Sequence, residues 1–266
     1  MIEVISSPSN NTIKHVKKLH KKKYREEYKQ FILEGEKTVL EALESDCAID
    51  MMLFSEAYFH PLLEEKAMNK GVRCIRLKDQ LFGQLSDTQS PQGVLAVIRQ
   101  KEYELNKILD SRSGFLLIMD GIKDPGNLGT MIRTMDAAGG DGVILINDCV
   151  DPYNPKAIRA TMGSILRVPV LKAVNKEEIL TALIQAGYHI VVSGLDGMDV
   201  FTYAEETNKL ALVIGSESHG VSPEVRKKAQ SLVKIPMVGG AESLNAAVAG
   251  GILIYEFFRK RRKMDS

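Results

Sequence analysis

The first half of the chain combines helix-like spacing with short apolar runs. Ile13, Val16 and Leu19 recur every three residues, so the spacing predicts one helix over residues 10–30. Short apolar runs predict strands at 31–33, 51–54, 72–75 and 94–98. The stretches between them predict helices at 37–43, 62–69 and 78–85. This alternation is typical of a compact α/β domain.

The second half begins after a charged connection, residues 100–113, with only scattered apolar positions. Beyond it, continuous apolar runs predict strands at 115–119, 143–146, 189–192 and 210–214. Helices are predicted at 129–138, 155–164, 176–186 and 243–261. Strands that are apolar throughout suit a parallel sheet covered on both faces. We therefore predict two α/β domains, residues 1–105 and 106–266.

Composition agrees with two globular domains and narrows the chemistry. The 266 residues are 44% hydrophobic and 26% charged, a balance typical of globular proteins. Three scattered cysteines without CxxC spacing and five dispersed histidines predict neither a disulfide framework nor a metal site. No apolar run has transmembrane length, and the first residues lack a signal-peptide layout. We expect a cytoplasmic protein without a membrane partner.

Positive charge is concentrated although the net charge is only +1. Between residues 14 and 29, basic side chains far outnumber the two acidic ones, Glu26 and Glu27. A second basic run occupies residues 259–263. Such clusters neutralise phosphates and release counterions, although a solvated helix face and an exposed tail have the same pattern. The candidate phosphate contacts are Lys14, Lys17, Lys18, Lys21, Lys22 and Arg25.

The first chemical motif follows the predicted strand 115–119. It reads DGIKDPGNLG over residues 120–129, and Arg133 comes shortly after it. A strand that enters such a loop and then a helix presents backbone N–H groups that can bind an anion. The planar guanidinium of Arg133 suits phosphate. An ordinary strand-to-helix loop with a surface arginine would have the same pattern.

The second motif reads GSESHGVS over residues 215–222, after the predicted strand 210–214. Its glycines permit close backbone approach. Glu217 is placed for acid–base or orienting work, and His219 is either a general base or a bystander.

The third motif runs from IPM at residues 235–237 through Gly239-Gly240 to Ser243-Leu244-Asn245. Ser243 can cap the last helix, which is the ordinary role of a serine just before an apolar run. Asn245 offers both a hydrogen-bond donor and an acceptor. Neither GxGxxG after the strand 115–119 nor GxxxxGK[ST] occurs, so the usual signatures for dinucleotides and nucleoside triphosphates are missing.

Together these motifs closely resemble those of the SpoU (TrmH-type) RNA 2′-O-methyltransferases, members of the SPOUT superfamily. The resemblance rests on DPxNxG at 124–129 with Arg133, IGSExxG at 214–220, and the third motif as it stands. A linking stretch, DPxNPKxxR at 151–159, also looks like the family. The N-terminal domain is similar to the small substrate-binding domain, of a ribosomal-protein-like RNA-binding fold, that many members carry.

The resemblance implies a particular fold and cofactor. The last helix would be tucked through a loop to form a C-terminal trefoil knot, which periodicity alone would never suggest. S-adenosylmethionine would be held between the second and third motifs by Gly215, Ile235, Met237 and Leu244. The resemblance also implies a homodimer formed through this parallel-sheet domain.

The resemblance further implies the catalytic residues Arg133, Asn127, Glu217, Ser243 and Asn245. A ribose 2′-hydroxyl is a poor nucleophile, so it needs a base or stabilisation of the developing alkoxide. Arg133 is either a base activated by the target's phosphate or a cation that clamps this phosphate. The clamp is physically easier because a guanidinium is almost always charged. Glu217 is expected to orient Arg133 or Asn127.

The two-domain layout is similar to members that act on large-subunit ribosomal RNA. The predicted reaction is therefore transfer of a methyl group from S-adenosylmethionine to a ribose 2′-hydroxyl, with guanosine as the expected nucleoside. The N-terminal domain and its basic helix would select structured RNA. The alternatives are a transfer RNA 2′-O-methyltransferase and a non-catalytic RNA-binding factor of ribosome assembly.

Overall fold

The structure is a computed structural model that describes residues 2–110, 114–204 and 207–264, with side chains as far as Arg262. Its contacts divide the chain into two compact units: Met1–Lys101 with Tyr153–Leu166, and Glu102–Pro152 with Arg167–Ser266. Residues 111–113, the end of the predicted connection, lie outside the described residues. The boundary at residue 105 stays a prediction, because compactness alone does not show which segments fold independently.

Helices and strands alternate along both units. The strands are β1 (Glu3–Ile5), β2 (Gln30–Glu34), β3 (Ile49–Ser55), β4 (Arg73–Leu77), β5 (Val94–Arg99), β6 (Phe115–Asp120), β7 (Gly142–Ile146), β8 (Val170–Lys172), β9 (His189–Asp199), β10 (Leu210–Gly215) and β11 (Ser231–Lys234). The helices are α1 (Asn11–Lys18), α2 (Lys22–Tyr28), α3 (Glu36–Glu44), α4 (Pro61–Asn69), α5 (Asp79–Gly83), α6 (Leu105–Leu109), α7 (Pro125–Ala137), α8 (Pro155–Thr161), α9 (Lys176–Gln185), α10 (Pro223–Lys228) and α11 (Ala246–Met264). A short 3-10 helix spans Ser164–Leu166.

The first unit is built on a five-stranded sheet in the order β1-β4-β3-β5-β2. Strands β1, β4 and β3 are parallel, and β5 runs antiparallel to both of its neighbours. The predicted apolar stripe of Ile13, Val16 and Leu19 packs into its core beside Leu53 and Ile75. Burial of each such side chain contributes roughly 1.5–3 kcal/mol, which holds α1 against the sheet.

The predicted helix over residues 10–30 is wrong, since the structure has two helices, α1 and α2. The turn between them leaves carbonyl groups at the end of α1 that need partners. The buried guanidinium of Arg25 donates to the carbonyl of Leu19 at 2.8 Å. The predicted phosphate contact by Arg25 is therefore contradicted, because its side chain is only 2% exposed.

The second unit is built on a six-stranded sheet in the order β11-β9-β10-β6-β7-β8, and every neighbouring pair is parallel. Strands β6, β7 and β10 are buried almost throughout, as the continuous apolar runs predicted. The α/β class and the parallel sheet are confirmed. The sequence pattern missed β1, β8, β11 and α10, which are all six residues or shorter.

Helix α11 closes the second unit against α7 and β10. A Cβ atom at Gly250 would lie 2.7 Å from Sδ of Met131, so the glycine permits this close approach. The helix begins at Ala246, three residues later than predicted. No helix among the described residues is long and apolar enough to cross a membrane. The threading of α11 through a knot stays a prediction.

Candidate active site

The first two motifs meet between β6 and β10. From β6 the chain first builds one side of the sheet with β7 and β8, and later the other side with β9, β10 and β11. Strands β6 and β10 are neighbours, and Asp120 pairs in register with Gly215 at their carboxyl ends. In open α/β sheets, ligands bind at this kind of switch point. The buried carboxylate of Asp120 accepts from Nδ2 of Asn147 at 2.6 Å and from the backbone N–H of Ser222 at 2.7 Å. Asp120 thus ties the loop of the second motif to the end of β6.

Gly215 is required by the tight turn that follows it. A Cβ atom there would lie 2.1 Å from the carbonyl carbon of Gly220. Beyond it, Ser216 and Gly220 exchange two backbone hydrogen bonds, with N–O distances of 3.2 and 2.9 Å. The turn therefore presents Glu217 in an exposed position.

Helix α7 places Asn127 in its first turn. Asp124 is the N-cap, and its Oδ1 accepts from the backbone N–H of Asn127 at 2.7 Å. Pro125 occupies the first helical position, which suits its fixed φ. The helix begins four residues earlier than predicted, because this Asp-Pro cap starts it.

A chain of side-chain hydrogen bonds joins one residue from each motif. Oδ1 of Asn245 accepts from the backbone N–H groups of Ala247 at 2.9 Å and Val248 at 3.2 Å. Its Nδ2 therefore faces Asn127 and donates to Oδ1 there at 3.0 Å. Asn127 is thereby oriented so that its own Nδ2 donates to Oε1 of Glu217. The cap of α11 thus decides the orientation of both amides.

This arrangement corrects one expectation and selects between two others. The cap of α11 is Asn245, whereas Ser243 is exposed two residues before it, so the predicted cap by Ser243 is wrong. Of the two partners expected for Glu217, the structure shows Asn127. Arg133 lies on α7 with its side chain exposed, and within the described residues it has no hydrogen bond or ion pair. It is not brought into contact with the amide chain.

A cavity of about 460 Å³ opens beside this series of hydrogen-bonded side chains, at Glu217. All four predicted cofactor contacts, Gly215, Ile235, Met237 and Leu244, line it, together with Glu217. The volume lies within the roughly 300–1,000 Å³ of small-molecule sites. The wall combines apolar side chains and turn backbone with the charged groups of Asp196, Glu217 and Arg226. This mixture suits a ligand with an adenine ring and a zwitterionic amino acid end. The residues present therefore suit S-adenosylmethionine.

Part of the cavity wall was missed by the sequence analysis. Residues 193–196 of the long strand β9 line the cavity, as does Arg226 of α10. Arg226 donates to Oδ2 of Asp196 at 2.6 Å, and this bond holds the pKa of Asp196 below its usual value. The carboxylate of Asp196 is thus charged at neutral pH. The sequence offers one signal for α10, the stretch Ser222-Pro223-Glu224, which is typical of a helix start.

The basic cluster of the first unit lies on α1 and α2. The ammonium of Lys17 donates to Oε1 of Gln84 at 2.6 Å, and Lys22 forms a long ion pair with Glu26 at 3.9 Å. Lys14, Lys18 and Lys21 are exposed. Five of the six predicted phosphate contacts therefore lie at least partly in solvent, and only Arg25 does not.

Two families match consecutive parts of the chain. The SpoU rRNA Methylase family matches residues 114–255, and the MRM3-like substrate binding domain matches residues 10–96. The chain is 34% identical over 251 residues to the 23S rRNA (guanosine(2553)-2'-O)-methyltransferase RlmP of Bacillus subtilis (strain 168), covering 94% of this chain and 97% of that protein.

Solved structures show the same likeness. An AdoMet-bound rRNA methyltransferase from Sinorhizobium meliloti superposes with a TM-score of 0.89 at 31% identity, over 100% of this chain and 99% of that chain. The TrmH/SpoU tRNA modifying enzyme of A. aeolicus superposes with a TM-score of 0.52 at 28% identity, over 60% of this chain and 82% of that chain.

The parallel sheet, the three converging motifs and the cavity define an RNA methyltransferase that uses S-adenosylmethionine. The predicted RNA methyltransferase activity and the predicted cofactor are confirmed, and the ribose 2′-hydroxyl as methyl acceptor stays a prediction. The chain belongs to the SpoU rRNA methylase family.

Proposed function

We propose that this protein transfers a methyl group from S-adenosylmethionine to the 2′-hydroxyl of a guanosine in large-subunit ribosomal RNA. The observation that carries the proposal is the hydrogen-bonded chain Asn245–Asn127–Glu217 beside the cavity. The cofactor supplies an electrophilic methyl group. The task left to the protein is to present and activate a ribose oxygen.

The amide chain supports activation of a hydroxyl at a defined position. Glu217 is exposed and bonded to Asn127 through Oε1, so its carboxylate is held in one orientation. A carboxylate fixed in this way can accept a hydrogen bond from a ribose hydroxyl and orient its oxygen for attack. Ser243, on the cavity wall, is available to contact the target or the cofactor.

Arg133 is proposed to clamp the phosphate of the target nucleotide. Its exposed guanidinium, without a partner among the described residues, is available for an external anion. A planar fork binds phosphate through two hydrogen bonds. A cation at that position also stabilises the alkoxide that develops in the transition state.

Two features favour ribosomal RNA over transfer RNA. The relative named for methylation of 23S rRNA matches nearly the whole chain, whereas the tRNA modifying enzyme matches only 60% of it. The second feature is the basic α1–α2 surface of the first unit. That surface suits phosphates of a structured RNA.

We also propose that the protein acts as a homodimer in the bacterial cytoplasm, where ribosomal RNA is found. The dimer is supported by an exposed apolar groove on the second unit that Phe201, Ile252, Tyr255 and Phe258 line. An exposed patch of this kind marks an interaction surface. A second copy of the chain is the proposed occupant.

The test is methyl transfer from labelled S-adenosylmethionine to unmethylated ribosomal RNA and transfer RNA, side by side, with nuclease mapping of the product. We expect label in large-subunit ribosomal RNA as 2′-O-methylguanosine. Label on a base, or in transfer RNA alone, would overturn the proposed substrate. Tight RNA binding without any methyl transfer would favour a non-catalytic assembly factor.

A further inference from the structure

Three aromatic rings form a row on the basic surface of the first unit. The ring centroids of His15 and Tyr28 are 4.8 Å apart, and those of Tyr28 and Tyr24 are 5.9 Å apart with nearly parallel planes. All three side chains are partly exposed. We call these three residues the ring row. Aromatic faces beside lysines are the usual components of a surface for single-stranded nucleic acid.

The ring row is held in place before any ligand binds. The imidazole of His15 is held in one orientation, because its Nε2 forms a hydrogen bond with Oε1 of Gln30 at 2.7 Å. Gln30 is itself oriented by donating Nε2 to Asp50, and Asp50 accepts from Nε of Arg99 at 2.7 Å. Oε1 of Gln30 is therefore the acceptor, and Nε2 of His15 is the donor in this hydrogen bond. In the middle of the row, Tyr28 packs against the hydrophobic core.

Two lysines lie over the ring of Tyr24. The ammonium groups of Lys18 and Lys23 are 5.2 and 5.8 Å from the ring centroid of Tyr24. At an exposed site such a cation–π contact changes an equilibrium constant by only about two- to fivefold. Stacking of a nucleobase on the ring strengthens RNA binding by about five- to 150-fold. A base therefore replaces the ammonium groups on the ring, and they remain close enough to pair with the flanking phosphates.

We propose that the ring row, with Tyr24 at one end, binds an unpaired nucleotide of the RNA substrate by stacking. In a duplex, base faces are covered by their neighbours, so the platform selects a loop, bulge or single-stranded end. This inference rests on the proposed function, since it names the kind of RNA that the first unit recognises. It assigns the stacking to the rings and the charge neutralisation to the lysines.

The experiment measures binding of a fluorescein-labelled single-stranded adenosine octanucleotide to the full chain over a range of salt concentrations. Tyr24→Leu is expected to weaken binding by about five- to 150-fold without changing the salt dependence. Tyr24→Phe keeps the ring and is expected to bind as the wild type does. Lys18→Ala is expected to reduce the slope of log K against log salt by about 0.7. A Tyr24→Leu variant that binds as tightly as the wild type would overturn the proposal.

A second variant guards against misfolding of the first. The chain contains no tryptophan, so Tyr24→Trp creates a single reporter, whose emission is expected to be quenched by the stacked base. Phe59→Trp, at another exposed aromatic position of the same unit, is the matched control without quenching. Unchanged emission of Tyr24→Trp at saturating RNA would refute the platform. Binding is measured without cofactor, so missing methyl transfer would refute the proposed function alone.

Discussion

At the scale of single residues, the site depends on the orientation of two amides. Asn245 accepts two backbone hydrogen bonds at the start of α11 and donates to Asn127, which in turn donates to Glu217. An amide has distinct donor and acceptor ends, so each link leaves the next with one orientation. One residue thus serves both the fold and the candidate chemistry.

Asn245→Asp separates these two roles. Aspartate still caps the helix, so the free energy of unfolding is expected to change by less than about 0.5 kcal/mol. It offers no donor to Asn127, and the charge-assisted bond to Glu217 loses its fixed geometry. Turnover is then expected to fall by about 10- to 100-fold. Urea unfolding measures the effect on stability, and methyl-transfer rates measure the effect on turnover. If Asn245→Asp lost as much stability as Asn245→Ala, the capping role of Asn245 would be contradicted.

Arg133→Ala tests the phosphate clamp. We expect turnover to be almost abolished, because the target phosphate and the developing alkoxide lose their cation. Binding of S-adenosylmethionine should stay unchanged, because Arg133 does not line the cavity. Arg133→Lys keeps the charge without the planar fork and is expected to recover part of the rate. Rates and calorimetric cofactor affinity are the measurements. Near wild-type turnover of Arg133→Ala would rule out both the clamp and the base.

At the scale of elements, the position of α11 depends on which of two adjacent glycines faces α7. A Cβ atom at Gly250 would meet Met131, whereas one at Gly251 would have no atom within 4 Å. The two positions share a helix and a residue type. They therefore separate helix propensity from packing.

Gly251→Ala is expected to stabilise the protein by up to about 1 kcal/mol through helix propensity. Gly250→Ala gains the same propensity but forces Met131 to move, and we expect it to be less stable than Gly251→Ala by about 1–3 kcal/mol. Urea denaturation of both variants gives the comparison. If the two variants were equally stable, the close approach of α11 to α7 would not limit the packing.

At the scale of the whole molecule, the exposed apolar groove of the second unit predicts self-association. Tyr255 and Phe201 are 47% and 50% exposed in the groove, beside Arg259 and Arg262. Tyr255→Arg adds a third cation to this groove, so we expect it to shift a dimer to monomer in sedimentation equilibrium. Phe59→Arg, an exposed aromatic position on the first unit, is the control that should remain dimeric. A monomeric wild type would remove the basis of the prediction.

The sequence by itself determined the α/β class, most of the strands and helices, and the three motifs of the site. Continuous apolar runs identify buried parallel strands because both faces of such strands are covered. Short elements at the edges, such as β8 and β11, escaped because three or four residues carry no readable periodicity. The division of residues 10–30 into two helices escaped because the buried Arg25 resembled a surface cation in the pattern.

Only the tertiary structure decided which residues of the motifs meet. Asn127 lies 90 residues before Glu217 and 118 residues before Asn245. No local sequence pattern indicates contacts between residues so far apart in the chain. The same holds for residues 193–196 and Arg226 on the cavity wall. Sequence patterns record local conformational preferences. A site also depends on the order of the strands in the sheet and on which polar groups become hydrogen-bond partners in the folded chain.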